Sequence, residues 1–390
     1  MIETPRRTAV DPVDRTDERR LLQESVASFM GRTGGASRVR ALRGCSPSFD
    51  RTLWREMADL GWLGVTVPES YGGLGLSLSE MAVIACELGG ALAPEPVIEA
   101  VTLAGGVLCH AGGRVAEEVL PKVVAGDLIP ALAWQEPDGS FDPESVATSA
   151  RTSPQGGARL QGVKAFVPHA DAADGFVVSA RDEEGLVLYW VPADSRGVDV
   201  SFHPLANGSK VGRVALHQVE VKDAQRMGTG KDAVRALRVS VDETAVMASA
   251  ALVGLMGKVL EMTLEYLKIR VQFGKPIGSF QALQHRAVDL YIQKELSKAV
   301  LGEALVALGD GTDSPARCSA ASRAKARCSD AALLICREGV QMHGAIGFSD
   351  EYDLGLYLNQ ALVLSAWLGN SAYHRHRYAT IGKYFSQGAA

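Results

Sequence analysis

The chain has 390 residues, 47% of them hydrophobic, which suffices for two or three domains with a sizeable core. Forty Lys and Arg against 45 Asp and Glu leave a formal charge of −5. That balance argues against a nucleic-acid binder, and the absence of low-complexity tracts argues against wholesale disorder.

Six Cys, at 45, 86, 109, 318, 328 and 336, include no C-x-x-C pair. They read as small, reduced, buried residues, so neither a disulfide framework nor a metal site is expected. The first residues carry Arg6, Arg7, Asp11, Asp14 and Asp17 with no apolar core, unlike a secretory signal. No uninterrupted apolar run reaches bilayer length, so no membrane span is expected and the location is read as cytoplasmic.

Residues 1–17 read as a flexible N-terminus. From 18 to 129 apolar residues fall at helical spacings, as in Leu53, Met57, Leu60 and Met81, Ile84, Ala85, Leu88. Breaks at Pro68 to Gly75 and Pro94-Glu95-Pro96 divide this helical domain. From 130 to 231 the texture becomes short and alternating: 163–167, 175–180, 186–192, 198–202 and 214–221 read as strands of a small β barrel or sandwich.

From 232 to 390 helical texture returns as a bundle. Between Asp242 and Arg270 there is no Pro and only two Gly, and apolar residues lie on most sides. Such a helix needs covering by neighbours or by another subunit. Further helices are expected at about 281–309, 315–342 and 354–382.

Two stretches could carry chemistry. Arg270-Val-Gln-Phe273-Gly274-Lys-Pro276, continuing to Phe280-Gln281, is either a plain helix–turn–helix or a cation, an aromatic face and an amide gathered near a helix start. The second combination suits a planar, phosphate-bearing cofactor. Gln341-Met-His343-Gly344-Ala-Ile-Gly347 either stops a helix or lets a ligand approach the backbone closely. His343 by itself reads as a hydrogen-bonded structural residue. His374-x-His376 has metal-like spacing but no third ligand nearby, and reads as a polar helix face.

Four motifs in order carry a resemblance over nearly the whole chain. They are Pro68-Glu69-x-x-Gly72-Gly73-x-Gly75, Gln135-Glu136-Pro137 with Gly162-x-Lys164, Arg270-x-x-Phe273-Gly274 with Phe280-Gln281, and Gln341-x-His343-Gly344-x-x-Gly347. The chain resembles the acyl-CoA dehydrogenases, most of all small subunits of heteromeric enzymes of the pimeloyl-CoA or steroid side-chain type. The resemblance implies an α+β fold: an N-terminal helical domain, a central β barrel and a C-terminal four-helix bundle. It also implies FAD, an acyl-CoA substrate and an electron-acceptor flavoprotein. The assembly would be a homo- or hetero-tetramer, with a second acyl-CoA dehydrogenase-like subunit as one form.

By the same resemblance, Arg270, Phe273 and Gln281 reach the distal half of FAD in a neighbouring subunit, and Gln341 and Gly344 supply a helix-end contact. Gln135, Ser140 and Phe166 match the flavin end of the cofactor site. The implied reaction removes an α-proton to a carboxylate base while hydride leaves the β-carbon for the flavin. The family's base sits at one of two places. One lies 24 residues after Gly344, which is Leu368; the other lies 26 before Arg270, which is Thr244. Neither is ionisable, and Glu243 is the weak substitute, rotated about 100° along a helix.

Other departures affect the flavin end. The usual Thr of the barrel motif is Pro168 in Phe166-Val167-Pro168, the Glu-Pro motif is one residue shorter, and Asn359-Gln360 replaces Arg-Asp. Three readings follow: a working acyl-CoA desaturase, a base-lacking, partly degenerate subunit of a heteromeric enzyme, or a repurposed flavoprotein such as an oxygenase.

Overall fold

In a computed structural model, residues 17–387 are described except 34, 155 and 310–312. The N-terminus read as flexible, apart from Asp17, lies outside the described residues. Helices α1 (Asp17–Arg32), α2 (Gly35–Leu42), α3 (Arg51–Asp59) and α4 (Leu78–Ala91) open the fold. A π-helical stretch, Ile98–Gly105, runs into α5 (Gly106–Ala111), followed by α6 (Gly113–Val124). Ser77 and Glu80 form a reciprocal capping box that fixes the start of α4 after the glycine-rich loop.

The middle region is an eight-stranded sheet: β1 (Pro130–Ala133), β2 (Ser149–Thr152), β3 (Ala158–Pro168), β4 (Gly175–Asp182), β5 (Gly185–Pro192), β6 (Val198–Pro204), β7 (Lys210–Val221) and β8 (Arg226–Thr229). Its order is β6-β7-β3-β2-β4-β5-β8, with β1 parallel to β4. The five strands expected from alternation all form, whereas β1, β2 and β8 are too short to carry a period. Leu160, Phe176, Val178, Val187, Val214 and Leu216 make a core within the sheet. Leu132, Val177 and Leu188 pack outward in a second core shared with the π-helical stretch, α5, α6 and the helix that follows the sheet. This is the curled, barrel-like middle of the expected α+β fold.

The long helix α7 spans Gly230–Ile269, so it starts twelve residues before the apolar run that revealed it. At 1.5 Å per residue it is about 60 Å long. The proposed domain limit at 231/232 therefore falls in its first turn. By length and hydropathy α7 could cross a membrane, but 72% of its most apolar window is buried inside the protein. That burial identifies a core helix, covered by α4 and α9 (Pro315–His343).

Close approach of α4 and α7 depends on two glycines. A Cβ on Gly89 would lie 2.1 Å from the Ala251 carbonyl oxygen, and one on Gly254 would lie 1.8 Å from that of Cys86.

After a two-residue hairpin at Val271–Gln272 and Lys275–Pro276 come α8 (Gln281–Leu308) and α9. The helix expected over 354–382 is in fact two, α10 (Leu354–Ala366) and α11 (Ser371–Gln387). Between them Leu368 adopts φ +58° and Gly369 φ +102°. The buried Lys325 ammonium donates to the Ser365 and Gly369 carbonyls at 3.1 and 3.0 Å, capping the interrupted helix.

Candidate functional site

A cavity of about 510 Å³ lies where the N-terminal helices, the barrel and α10 meet. Leu88, Leu92 and Ile98 line it from the first region, Gln135, Phe166, Pro168 and His169 from the second, and Leu364, Trp367 and Leu368 from the third. Its size and largely apolar lining suit a small organic ligand or cofactor.

The barrel wall is set by two of the sequence motifs. Lys164, wholly buried, donates from Nζ to Glu136 Oε1 at 2.8 Å and to Ser179 Oγ at 3.0 Å. Glu136 also accepts from the Thr148 amide and hydroxyl at 2.9 and 2.7 Å. Burial alone would raise this carboxyl, but Lys164 and Thr148 outweigh it and hold it below its ordinary value. A break in the β3–β7 register follows Lys164, and within it Phe166 takes φ +56°. The bulge turns this ring, 49% exposed, into the cavity. Gln135 lies beside it, its carbonyl accepting from the Ala165 amide at 2.9 Å. Its side-chain Nε2 donates to the Ser140 carbonyl at 3.3 Å.

Arg270, Phe273 and Gln281 are exposed, on the hairpin side of the molecule and outside the cavity lining. Phe273 is 91% exposed, at φ +53°, with the Phe280 ring edge-on at 6.1 Å. The Arg270 guanidinium has no hydrogen bond or ion pair among the described residues. Gln341 and Gly344 are exposed at the C-terminal end of α9, with Gly344 at φ +65°. A forked cation, an unpacked ring and two amides facing outward fit a cofactor whose distal half is shared with a neighbour. The cavity end fits a flat ring through Phe166 and Gln135, although Pro168 offers no donor there.

Leu368 is buried and lines the cavity, so the late base position faces the site with an alkyl side chain. Thr244 is buried and donates to the Ser240 carbonyl at 2.6 Å. Glu243 is outside the cavity lining. Its Oε1 accepts from Arg317 Nη2 at 2.6 Å, and its Oε2 lies 3.1 Å from His110 Nε2. Nothing in the sequence pointed to Arg317, 74 residues away, as the partner of this carboxylate.

His343 is structural, as expected: Nδ1 donates to the Gly339 carbonyl at 2.7 Å, Nε2 accepts from Tyr352 Oη at 3.1 Å, and Tyr266 stacks on the ring. His374, read as part of a polar face, is instead buried, with Nε2 donating to the Leu368 carbonyl at 3.0 Å. The turn at Trp367–Gly369 pulls it inward.

Matches to family models cover the chain in three consecutive pieces. The acyl-CoA dehydrogenase N-terminal domain matches residues 16–127, the middle domain 131–223 and the C-terminal domain 234–381. The chain belongs to the acyl-CoA dehydrogenase family. It is an oxidoreductase-type flavoprotein, and FAD is the family's cofactor.

Among its relatives is the acyl-CoA dehydrogenase IpdE2 of Mycobacterium tuberculosis, 31% identical over 88% of this chain and 91% of the relative. Benzylmalonyl-CoA dehydrogenase of Aromatoleum aromaticum is 30% identical over 88% of this chain and 92% of its own length. Among solved structures, the ChsE4–ChsE5 complex of Mycobacterium tuberculosis superposes with a TM-score of 0.85 at 28% identity, covering 95% of this chain and 98% of that one.

Proposed function

We propose that this chain takes part in the α,β-desaturation of an acyl-CoA thioester, as a subunit of an assembly that shares FAD across a subunit contact. The cavity shared by all three regions carries this reading, since Phe166 and Gln135 from the barrel and Leu368 from the C-terminal region line the same space. FAD, when bound, supplies a two-electron acceptor for the hydride lost from the β-carbon.

The chain's own residues would divide the remaining work. Arg270 offers forked donors to a pyrophosphate, Phe273 a stacking face, and Gln281, Gln341 and Gly344 amide contacts. Gln135, Ser140 and Phe166 flank the flavin end. Leu88, Leu92, Ile98 and Leu364 exclude water from the acyl group. An exposed apolar stripe on α8, at Val288, Tyr291, Ile292 and Leu296, supports assembly into a tetramer. Six free cysteines agree with a reducing, cytoplasmic compartment.

One observation favours a second reading. With Leu368 and Thr244 at the two base positions and Glu243 held by Arg317, this chain presents no carboxylate in either usual place. It would then be the base-lacking member of a heteromer whose second acyl-CoA dehydrogenase-like subunit carries the base, with electrons passing to an acceptor flavoprotein. The complex form of the ChsE4–ChsE5 relative supports that arrangement.

The deciding experiment is an anaerobic visible spectrum of the purified chain before and after a panel of acyl-CoAs. Bleaching by one of them, with desaturated product, supports self-sufficient desaturation. A spectrum that bleaches only after a co-expressed subunit is added supports the heteromer. Oxygen incorporated into product under air would replace both readings.

A further inference from the structure

At one end of the largely apolar cavity Glu99, His169 and Ser48 come together, and two of the three carry buried atoms that lack partners. His169 follows Pro168 at the end of β3, only 8% exposed and at φ +48°. Its Nδ1 has no hydrogen-bond partner, and its Nε2 stands 3.8 Å from Glu99 Oε1, too far for a hydrogen bond. Ser48, 4% exposed, also lines the cavity with an unpartnered Oγ. The Phe49 ring meets the His169 ring edge-on at 6.1 Å, tying the Ser48–Phe49 segment to the same end. Burial lifts the Glu99 carboxyl above its ordinary value, with His169 pulling the other way.

Buried polar atoms are costly unless satisfied, typically by about 1–3 kcal/mol each, so a cluster of them around a cavity marks where a ligand's polar atom belongs. The charges of this end decide which kind. Both basic chains in the lining already face carboxylates: Arg43 is 2.9 Å from Asp350, and Lys210 is 3.7 Å from Asp171. Glu95, also in the lining, is held by Arg38 through both carboxylate oxygens. With Arg43 and Lys210 each beside a carboxylate, no free cation among the described residues of the lining is left to neutralise an anion, and Glu99 when ionised would repel one.

We infer that the Glu99–His169–Ser48 end of the cavity selects acyl groups carrying an uncharged oxygen, an alcohol or a ketone, remote from the thioester, and rejects those ending in a carboxylate. This rests on the reading of the cavity as an acyl-CoA site. Glu99 can accept from a hydroxyl or, when protonated, donate to a ketone; His169 and Ser48 can each do either. An apolar acyl body would fill the remainder.

The test is calorimetric binding to the FAD-loaded protein, with any subunit that co-purifies, kept anaerobic. The ligands share one skeleton: 3-cyclohexylpropanoyl-CoA and its 4-hydroxy, 4-oxo and 4-carboxy derivatives. The alcohol or the ketone should bind about tenfold more tightly than the hydrocarbon, one good hydrogen bond's worth, and the carboxylate more weakly than either. Glu99→Leu and, separately, Ser48→Ala should reduce the advantage while the hydrocarbon still binds. Equal binding of hydrocarbon and oxygenated ligands, tightest binding by the carboxylate, or an advantage untouched in both variants would overturn the inference alone. Binding of none of the four would overturn the acyl-CoA reading and this inference with it.

Discussion

The Arg317 guanidinium, wholly buried, donates to Glu243 across 2.6 Å and ties the start of α9 to the middle of α7. Its other terminal nitrogen donates to the Leu308 carbonyl at 2.7 Å, so it also closes the end of α8. Removing one partner of such a pair leaves a buried charge unpaired, typically at about 3–5 kcal/mol. Arg317→Met should therefore lower stability by roughly that much, read from urea unfolding, and Glu243→Gln in the same chain should restore part of it. Glu243→Gln alone should leave any substrate-dependent bleaching in place. Loss of bleaching with FAD content intact would return Glu243 to the role of base.

Arg270→Ala should reduce retained FAD several-fold, measured by the ratio of flavin to protein absorbance after gel filtration. Phe273→Ala should act in the same direction with little effect on unfolding, because that ring is 91% exposed in the single chain. Unchanged flavin content in both variants would remove them from the cofactor site.

Leu368→Glu would place a carboxylate on the cavity wall at the family's late base position. If the chain's own cavity takes acyl-CoA beside FAD, the variant should bleach faster than the parent, with a rate rising as pH passes the new group's pKa. A variant that folds, keeps FAD and shows no gain would favour the heteromer.

His374 is pushed down to about 3, chiefly by burial and then by the positive charges of Lys325 on α9 and Arg377 on its own helix; the Leu368 carbonyl and Asp242 on α7 oppose the shift. A histidine lowered in the fold binds fewer protons than in the unfolded chain. Stability is thus full above the unfolded value near 6.5 and is lost as pH falls from there toward 3. The unfolding midpoint should drop less between pH 7 and pH 5 in His374→Gln than in the parent. Equal drops would show that the ring is accessible to water.

Gly89→Ala should lower the melting temperature and alter ligand binding together, because a methyl there meets the Ala251 carbonyl at 2.1 Å and both residues line the cavity. A silent substitution would mean that α4 and α7 can separate freely.

The three-part architecture was legible because periods of 3.6 and 2 alternate in long blocks, and Arg270, Phe273 and Gln281, proposed for the distal end of the cofactor, stood out because they lie within a dozen positions of one another. What sequence spacing could not supply were pairs brought together by folding. Arg317 with Glu243, Lys325 beneath the Trp367–Gly369 turn, and Glu99 opposite His169 are far apart in the chain, and none belongs to a motif. The break between α10 and α11 was missed for a related reason. Leu368 holds a left-handed conformation through contacts from other helices, and no proline announces the interruption. The two orphaned atoms at the cavity's polar end became visible only once burial was known.

Helix α7 touches α4, α5, α8, α9 and α10 as well as β5 and β8. A single rod of 40 residues therefore belongs to the core of all three regions at once. Loosening any one region strips contacts from the rod that the other two also use. The molecule should accordingly melt in one cooperative transition, by calorimetry and by circular dichroism alike, and none of its three regions should persist as a folded fragment when cut from the others.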